Sequence, residues 1–310
     1  MLKFVFKKIL TALAVIFTIT TFTFFFINLF QGDPFVGDKT LETETLQNLQ
    51  KMYGLDKSLL VRYWDFLKGI LHLDFGYSYA NLGIPIKDLI FPADRNSGFV
   101  ISLKYCSIVF CLVLSFGILI GIFSAINNGI WDKIISFFTV LGFSIPTIIL
   151  GPLLIQFFGE KLKWFPTCQW DLNFQHLFLP VLTLSISILC YISQVEKMNL
   201  FDVMNSPFIK MAQAKGLTRR QIIFKHALKP ALLPVFGYLG SIISNILTGT
   251  VIIERLFGLP GIGNLIINAA LARDYSMMLA LIIIFSVIFI SSHILGDILY
   301  VLIDPKVKFD

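Results

Sequence analysis

Charge is what this sequence has least of. Only 14% of its 310 residues are Asp, Glu, Lys or Arg, against about 25% in soluble domains, which excludes an ordinary water-soluble enzyme. Disorder is excluded too, because 56% of the residues are hydrophobic. Histidine is scarce: His72, His176, His226 and His293 are the only four. They are too scattered for an H-E-x-x-H zinc motif or for a base beside a nucleophile, so an intramembrane hydrolase has no candidate site. The four cysteines, Cys106, Cys111, Cys168 and Cys190, lack metal-site spacing. Three of them fall in apolar runs, where they read as small apolar side chains. No G-x-x-x-x-G-K-[ST] phosphate loop occurs, so this chain is not expected to hydrolyse ATP or to bind a cofactor or metal. Internal repeats and low-complexity segments are also missing.

What the sequence does have is long apolar runs. Six stretches carry no charge: 9–31, 105–131, 134–159, 172–195, 230–253 and 275–296. Each exceeds the roughly 20 residues that span a bilayer, so the expected fold is all-α with six transmembrane helices. The first run is too long for the h-region of a signal peptide, and no small-x-small site follows Phe30. It reads as an uncleaved first span, 9–30. Lys3, Lys7 and Lys8 place segment 1–8 in the cytoplasm. Six spans then return the 304–310 tail to the same side. Thirteen of the 25 basic residues fall on inside segments. The short outside loops 160–171 and 254–274 balance four bases with four acids. Orientation thus accounts for the net charge of +6, and no nucleic-acid partner is expected.

Residues 31–104 form the one long external segment. Gly32-Asp33-Pro34 closes the first span with turn chemistry. A helix is expected over 40–53, stopped by Gly54, and an amphipathic helix over 57–71, whose Tyr63, Trp64 and Phe66 suit a membrane interface. Asp88, Asp94 and Arg95 read as solvated loop charges. The five remaining spans make a core over 105–303. Ser144-Ile145-Pro146 predicts a kink in the third span. Residues 256–272 are charge-free but short and broken by Gly258, Pro260, Gly261 and Gly263, which fits an interfacial or re-entrant helix.

The segment 197–233 is too elaborate for a link between spans, which usually takes about 2–8 residues. It reads as two helices around a specified turn. Gly216 occupies the left-handed C′ position. Thr218 and Gln221 have capping-box spacing, and Leu217 and Ile222 stand at the staple positions. Pro230 is expected to end the second helix. Arg219 and Arg220 lie in a first helical turn, where cations are unfavourable, so another group must favour them there. The small residues Ala212, Ala214 and Gly216 are expected to form a face that a partner protein can approach closely.

This segment resembles the cytoplasmic loop of ABC importer permeases, and specifically that of the oligopeptide/dipeptide/nickel permease family. Ala212-x-Ala214-Lys215-Gly216-Leu217 and His226-Ala227-Leu228-x-x-Ala231-Leu232-x-Pro234 carry the likeness. Gly32-Asp33-Pro34, Tyr53-Gly54-Leu55-Asp56, Asp74-Phe75-Gly76-x-Ser78, Leu259-Pro260-Gly261-Ile262-Gly263, Ala272-Arg273-Asp274-Tyr275 and Asp304-Pro305 extend it in order along the whole chain. The resemblance implies a type I ABC importer permease fold. It implies a second homologous permease subunit, two ATP-binding subunits that use ATP and Mg, an external solute-binding protein and a bacterial inner membrane. It also implies that Lys210, Met211, Ala212, Gln213, Ala214, Lys215, Gly216, Leu217, Thr218, Arg219 and Arg220 dock on an ATP-binding subunit. The sequence departs from the family where Lys210-Met211-Ala212 replaces Glu-Ala-Ala, Gln213 a usual Arg, and Pro207 a usual acid, which leaves the docking salt bridges open.

Candidate path-lining groups are Ser144, Ser241, Ser244, Asn245 and Thr248, with helix packing as the other use for such residues. His293 and Asp297, four apart, share a face. Asp297 is expected near the inner end in an interfacial role, and Glu254 and Arg255 as boundary charges. Peptides are the expected solute, with nickel or another small solute as the alternative. A secondary transporter or channel is the rival of a different class; it predicts paired intramembrane charges or inverted repeats.

Overall fold

The computed structural model describes residues 2–29, 48, 50–92, 97–127, 129–167 and 174–303. The Gly32-Asp33-Pro34 turn, most of the expected 40–53 helix, Asp94, Arg95, Cys168 and the 304–310 tail lie outside the described residues. The helices are α1 (Leu2–Leu29), α2 (Leu59–Leu71), α3 (Ile86–Ile90), α4 (Gly98–Ile126), α5 (Ile130–Ser144), α6 (Thr147–Leu154), α7 (Phe174–Met204), α8 (Pro207–Ala214), α9 (Arg219–Gln221), α10 (Leu228–Gly237), α11 (Leu239–Phe257), α12 (Ile262–Leu271) and α13 (Tyr275–Ile303). Two π turns, Ile155–Lys161 and Ile222–Ala227, prolong α6 and join α9 to α10.

Five of these, α1, α4, α7, α11 and α13, are long and apolar enough to cross a membrane. The sixth expected span is a corner rather than a kink: α5 and the Thr147–Lys161 stretch meet at 103°. Pro146 has no N–H and disfavours helix at the residue before it. Ile145 accordingly turns to ψ 117°. The helix after Thr218 also departs from expectation. It does not stop at Pro230 but runs on to Gly237. The π turn directly upstream widens the coil where the proline ring would otherwise meet the carbonyl four residues back. The short 256–272 run forms the ten-residue helix α12, too short to span.

The chain divides into two compact units. One comprises 1–8, 103–259 and 289–310. Its spine is α7, which packs against α5, α6, α10 and α11. Val109 and Val113 of α4, Leu184 and Ile192 of α7, and Ile242 and Ile246 of α11 fill its core. Helices α11 and α13 cross closely: a Cβ on Gly296 would lie 2.5 Å from the Gly240 nitrogen. One turn along, the hydroxyls of Ser244 and Ser292 are 3.3 Å apart. Lipid supplies no hydrophobic drive between helices, so such small-residue contact and interhelical hydrogen bonding hold the pair.

The other unit comprises 9–102 and 260–288. Two apolar clusters hold it, one around Ile86, Ile90, Ile262 and Leu281, the other around Phe24, Tyr63 and Leu279. The Ile262 N–H at the start of α12 donates to Ser102 Oγ at 2.9 Å. Asp274 is 2% exposed, and a buried carboxylate must be hydrogen-bonded. It accepts from the Ser78 hydroxyl and from the backbone N–H of Tyr79 (3.1 Å), Ala80 (3.2 Å) and Met277 (3.1 Å). The Asp74–Ser78 and Ala272–Tyr275 motifs, almost two hundred residues apart, are thus the two halves of one network. Asp274→Ala orphans these buried donors at about 1–3 kcal/mol each. Its thermal midpoint in detergent should fall well below that of Asp274→Asn, which keeps one acceptor oxygen.

Candidate functional site

The cap and turn signals of 207–222 form, although Pro230 does not end its helix. Pro207 opens α8 at a position whose N–H is unpaired anyway. Gly216 takes φ +78°, a conformation that L side chains avoid. Leu217 N–H bonds Ala212 O at 3.4 Å and Gly216 N–H bonds Gln213 O at 2.9 Å, the two bonds of a Schellman cap. Thr218 then starts α9 with a full capping box: Gln221 N–H donates to Thr218 Oγ1, and Thr218 N–H donates to Gln221 Oε1 at 3.0 Å. Leu217 and Ile222, the staple pair, belong to one apolar cluster.

That cluster fixes which way the segment faces. Ile209, Ala212, Ile222 and Ala227 are buried with Leu200, and Ile122, Ala125 and Ile126 of α4 pack against them. Ala212, expected on the docking face, is 8% exposed and points into its own unit. The α8 residues Pro207, Phe208, Lys210, Met211, Gln213 and Ala214 are exposed, as are Lys215, Gly216 and Thr218 beyond them. Phe208 is 47% and Met211 60% exposed, and Phe224 follows on the π turn at 59%. Lys210, Lys215, Arg220 and Lys225 surround them, and no Asp or Glu occurs between Asp202 and Glu254. The exposed surface is therefore apolar with a purely basic rim.

Arg219 has an internal partner. Its Nη2 donates to Ile126 O at 2.8 Å, at the C-terminal end of α4. A cation costs something in its own first turn, but here it answers the negative end of another helix. The two arginines thus differ: both are exposed, but Arg219 ties the segment to α4.

A second feature lies at the α5–α6 corner. A cavity of ≈ 350 Å³ there is lined by Phe143, Thr147, Ser187, Tyr191 and Asn245 among others, and no charged side chain lines it. Ser187 Oγ donates to Ile145 O at 3.3 Å, covering a carbonyl freed by the break. Of the candidate path residues, Asn245 alone lines this cavity. Ser144 is exposed and bonds Val140 O of its own helix at 2.7 Å. Ser244 is buried against Ser292. Thr248 bonds Ser244 O at 2.9 Å, and Ser241 is half-buried outside the cavity lining. Thr147, Ser187 and Tyr191 were not among the candidates, although Pro146 marked their neighbourhood.

His293 and Asp297 do not pair. Asp297 bridges to Lys8 at 2.7 Å, and His293 stacks near Phe289 at 5.3 Å. Glu254 is not a boundary charge but fully buried, because α4 brings Tyr105 and Cys106 beside it. Among the described residues no three of His, Cys, Asp or Glu converge as metal ligands.

Residues 117–309 match the family described as binding-protein-dependent transport system inner membrane component, and residues 1–87 match its N-terminal companion. The chain is 37% identical, over the full length of both, to the oligopeptide transport system permease protein OppB of Salmonella typhimurium. It is 33% identical to the dipeptide transport system permease protein DppB of Bacillus subtilis, over 99% of this chain and 98% of that one. Among solved structures, an inward-facing MetNI methionine ABC transporter chain aligns with a TM-score of 0.53 at 16% identity, covering 66% of this chain and 92% of the other. That likeness supports the type I fold. Arg219→Gln should lower the thermal midpoint of the purified chain, at about 0.5–1 kcal/mol of lost charge–dipole energy. Arg220→Gln should leave it unchanged.

Proposed function

The chain belongs to the binding-protein-dependent inner membrane components of ABC importers, as a multi-pass permease subunit, and on that premise we propose that it forms half of a translocation path for oligopeptides or dipeptides. The permeases of this family work with ATP-binding and solute-binding partners. The proposed assembly adds a second homologous permease, two ATP-binding subunits that use ATP and Mg, and an external protein that delivers the peptide. Both termini are proposed to be cytoplasmic, in keeping with Lys3, Lys7 and Lys8.

The observation that carries this reading is the exposed face of 207–225. Phe208 and Met211 are proposed to seat in an apolar groove of an ATP-binding subunit, with Lys210, Lys215, Arg220 and Lys225 meeting acidic groups on its rim. Apolar anchors surrounded by charge are the usual anatomy of a docking site. Gln213, Ala214, Gly216, Leu217 and Thr218 serve by holding the turn rigid, and Ala212 by fixing the segment to its own unit. Closure of the ATP-binding subunits then moves α8 and α9 as a body. The Arg219–Ile126 bond and the apolar cluster beneath pass that movement to α4 and α7. This is a population shift between two states of the permease.

The corner cavity fits an uncharged path for peptides. Asn245, Thr147, Ser187 and Tyr191 offer hydrogen bonds to peptide groups without selecting side-chain charge, and no His or Cys lines it for nickel. Met211→Asp should abolish co-purification of the ATP-binding subunits and uptake of a labelled peptide, with membrane insertion unchanged. Retained co-purification would overturn the assigned face, and peptide-independent ⁶³Ni uptake would overturn the solute.

A further inference from the structure

In the unit formed by 9–102 and 260–288, a second cavity of ≈ 250 Å³ opens beside α2. A single water needs only about 10–15 Å³ on such a measure, so the cavity has room for a larger polar group. The C-terminal end of α1 (Phe24, Asn28) and the N-terminal end of α13 (Tyr275, Leu279) form its walls. These are the ends of two apolar spans, which puts the cavity at headgroup depth rather than in hydrocarbon. Four tyrosines also line it: Tyr53, Tyr77, Tyr79 and Tyr275.

Its charge is balanced. Lys57, Arg62, Asp65 and Asp74 are the charged side chains in the lining. Lys57 and Asp65 satisfy each other at 2.8 Å, so each holds the other in its charged form: the Lys57 pKa is raised and the Asp65 pKa lowered, first by their hydrogen bond. Asp74 Oδ1 accepts only the nearby Gly76 N–H, at 3.0 Å. The Arg62 guanidinium forms no ion pair or hydrogen bond among the described residues. The site therefore offers one free guanidinium, one partly free carboxylate and several aromatic faces. That set matches a zwitterion: guanidinium for phosphate, carboxylate and tyrosine rings for an ammonium.

The surface next to the cavity says where the ligand comes from. On α2, Arg62, Asp65, Phe66 and Gly69 face the cavity, while Leu60, Trp64 and Leu71 form an exposed apolar stripe. Phe22, Phe26 and Leu29 are exposed at the adjoining end of α1. An amphipathic helix with an exposed Trp stripe beside a span end belongs in the interface plane. We propose that α2 lies in the leaflet at these helix ends and that the cavity holds the headgroup of an ethanolamine phospholipid, with Arg62 on its phosphate and Asp74 on its ammonium. The acyl chains lie along Trp64 and the exposed phenylalanines of α1.

The test uses the full-length chain in nanodiscs of equal phosphatidylethanolamine and phosphatidylglycerol, re-solubilised and read by native mass spectrometry. The expected result is one retained phosphatidylethanolamine per chain. Arg62→Gln should reduce its retention by about tenfold, the scale of one charge-assisted bond. Arg62→Lys should be intermediate, and Lys68→Gln, a cation on the same helix outside the cavity, should match the wild type. Equal retention of the two lipids, or wild-type retention by Arg62→Gln, overturns the proposal. So does release of the lipid by a millimolar tripeptide, which makes the cavity a vestibule for solute instead. None of these readouts depends on transport or on the ATP-binding subunits.

Discussion

A break in a helix within or beside the bilayer leaves backbone groups that lipid cannot satisfy, and at several such breaks a side chain of this protein covers them. The corner at Ile145–Pro146 exposes a carbonyl that Ser187 of α7 covers. The end of α4 exposes another that Arg219 covers from 93 residues away. The first N–H of α12 is met by Ser102, and the N–H groups of Tyr79, Ala80 and Met277 by Asp274. Apart from the Asp274–Met277 bond, which caps the first turn of α13 locally, each of these side chains is distant in sequence from the group it serves. The requirement to satisfy the backbone therefore ties together elements distant in sequence.

The same requirement bears on the proposal that a short segment moves long helices. Residues 207–227 are held internally by a Schellman cap, a capping box and a left-handed Gly216. They are held externally by an apolar cluster shared with α4 and α7 and by the Arg219 bond. A push on Met211 meets no soft joint before it reaches α4. The π turn itself carries two of the buried anchors, Ile222 and Ala227, and Ala231 beyond Pro230 belongs to the same cluster, so the coil departs from its regular ladder at a point that packing holds.

The turn at Gly216–Gln221 was legible in the sequence because every interaction that makes it lies within six residues. The spans were legible because charge is excluded over lengths set by the bilayer. What was not legible needed three dimensions. Ile209 and Ala212 are three apart on α8, and so are Phe208 and Met211; sequence offers two apolar stripes and does not say which one is covered. On α11 the polar groups at 241, 244, 245 and 248 spread over more than one face, and only packing separates Asn245, at the cavity, from Ser244, against Ser292. Glu254 lies at a span end, where solvation was the simple expectation, but α4 encloses it. Pro230 carried a true local signal, a missing donor, that the upstream π turn accommodates.

The central claim is that the segment bearing Phe208 and Met211 moves together with α4. Spin labels at Gln213, on the same helix but not one of the anchors, and at Phe123, both exposed and both in the same compact unit, report on it directly. In the assembled importer, pulsed electron–electron distance measurement should give the same distribution with and without ATP, while labels across the two permease subunits change. A shift between Gln213 and Phe123 on ATP binding would show that the segment slides on α4, and would contradict the account.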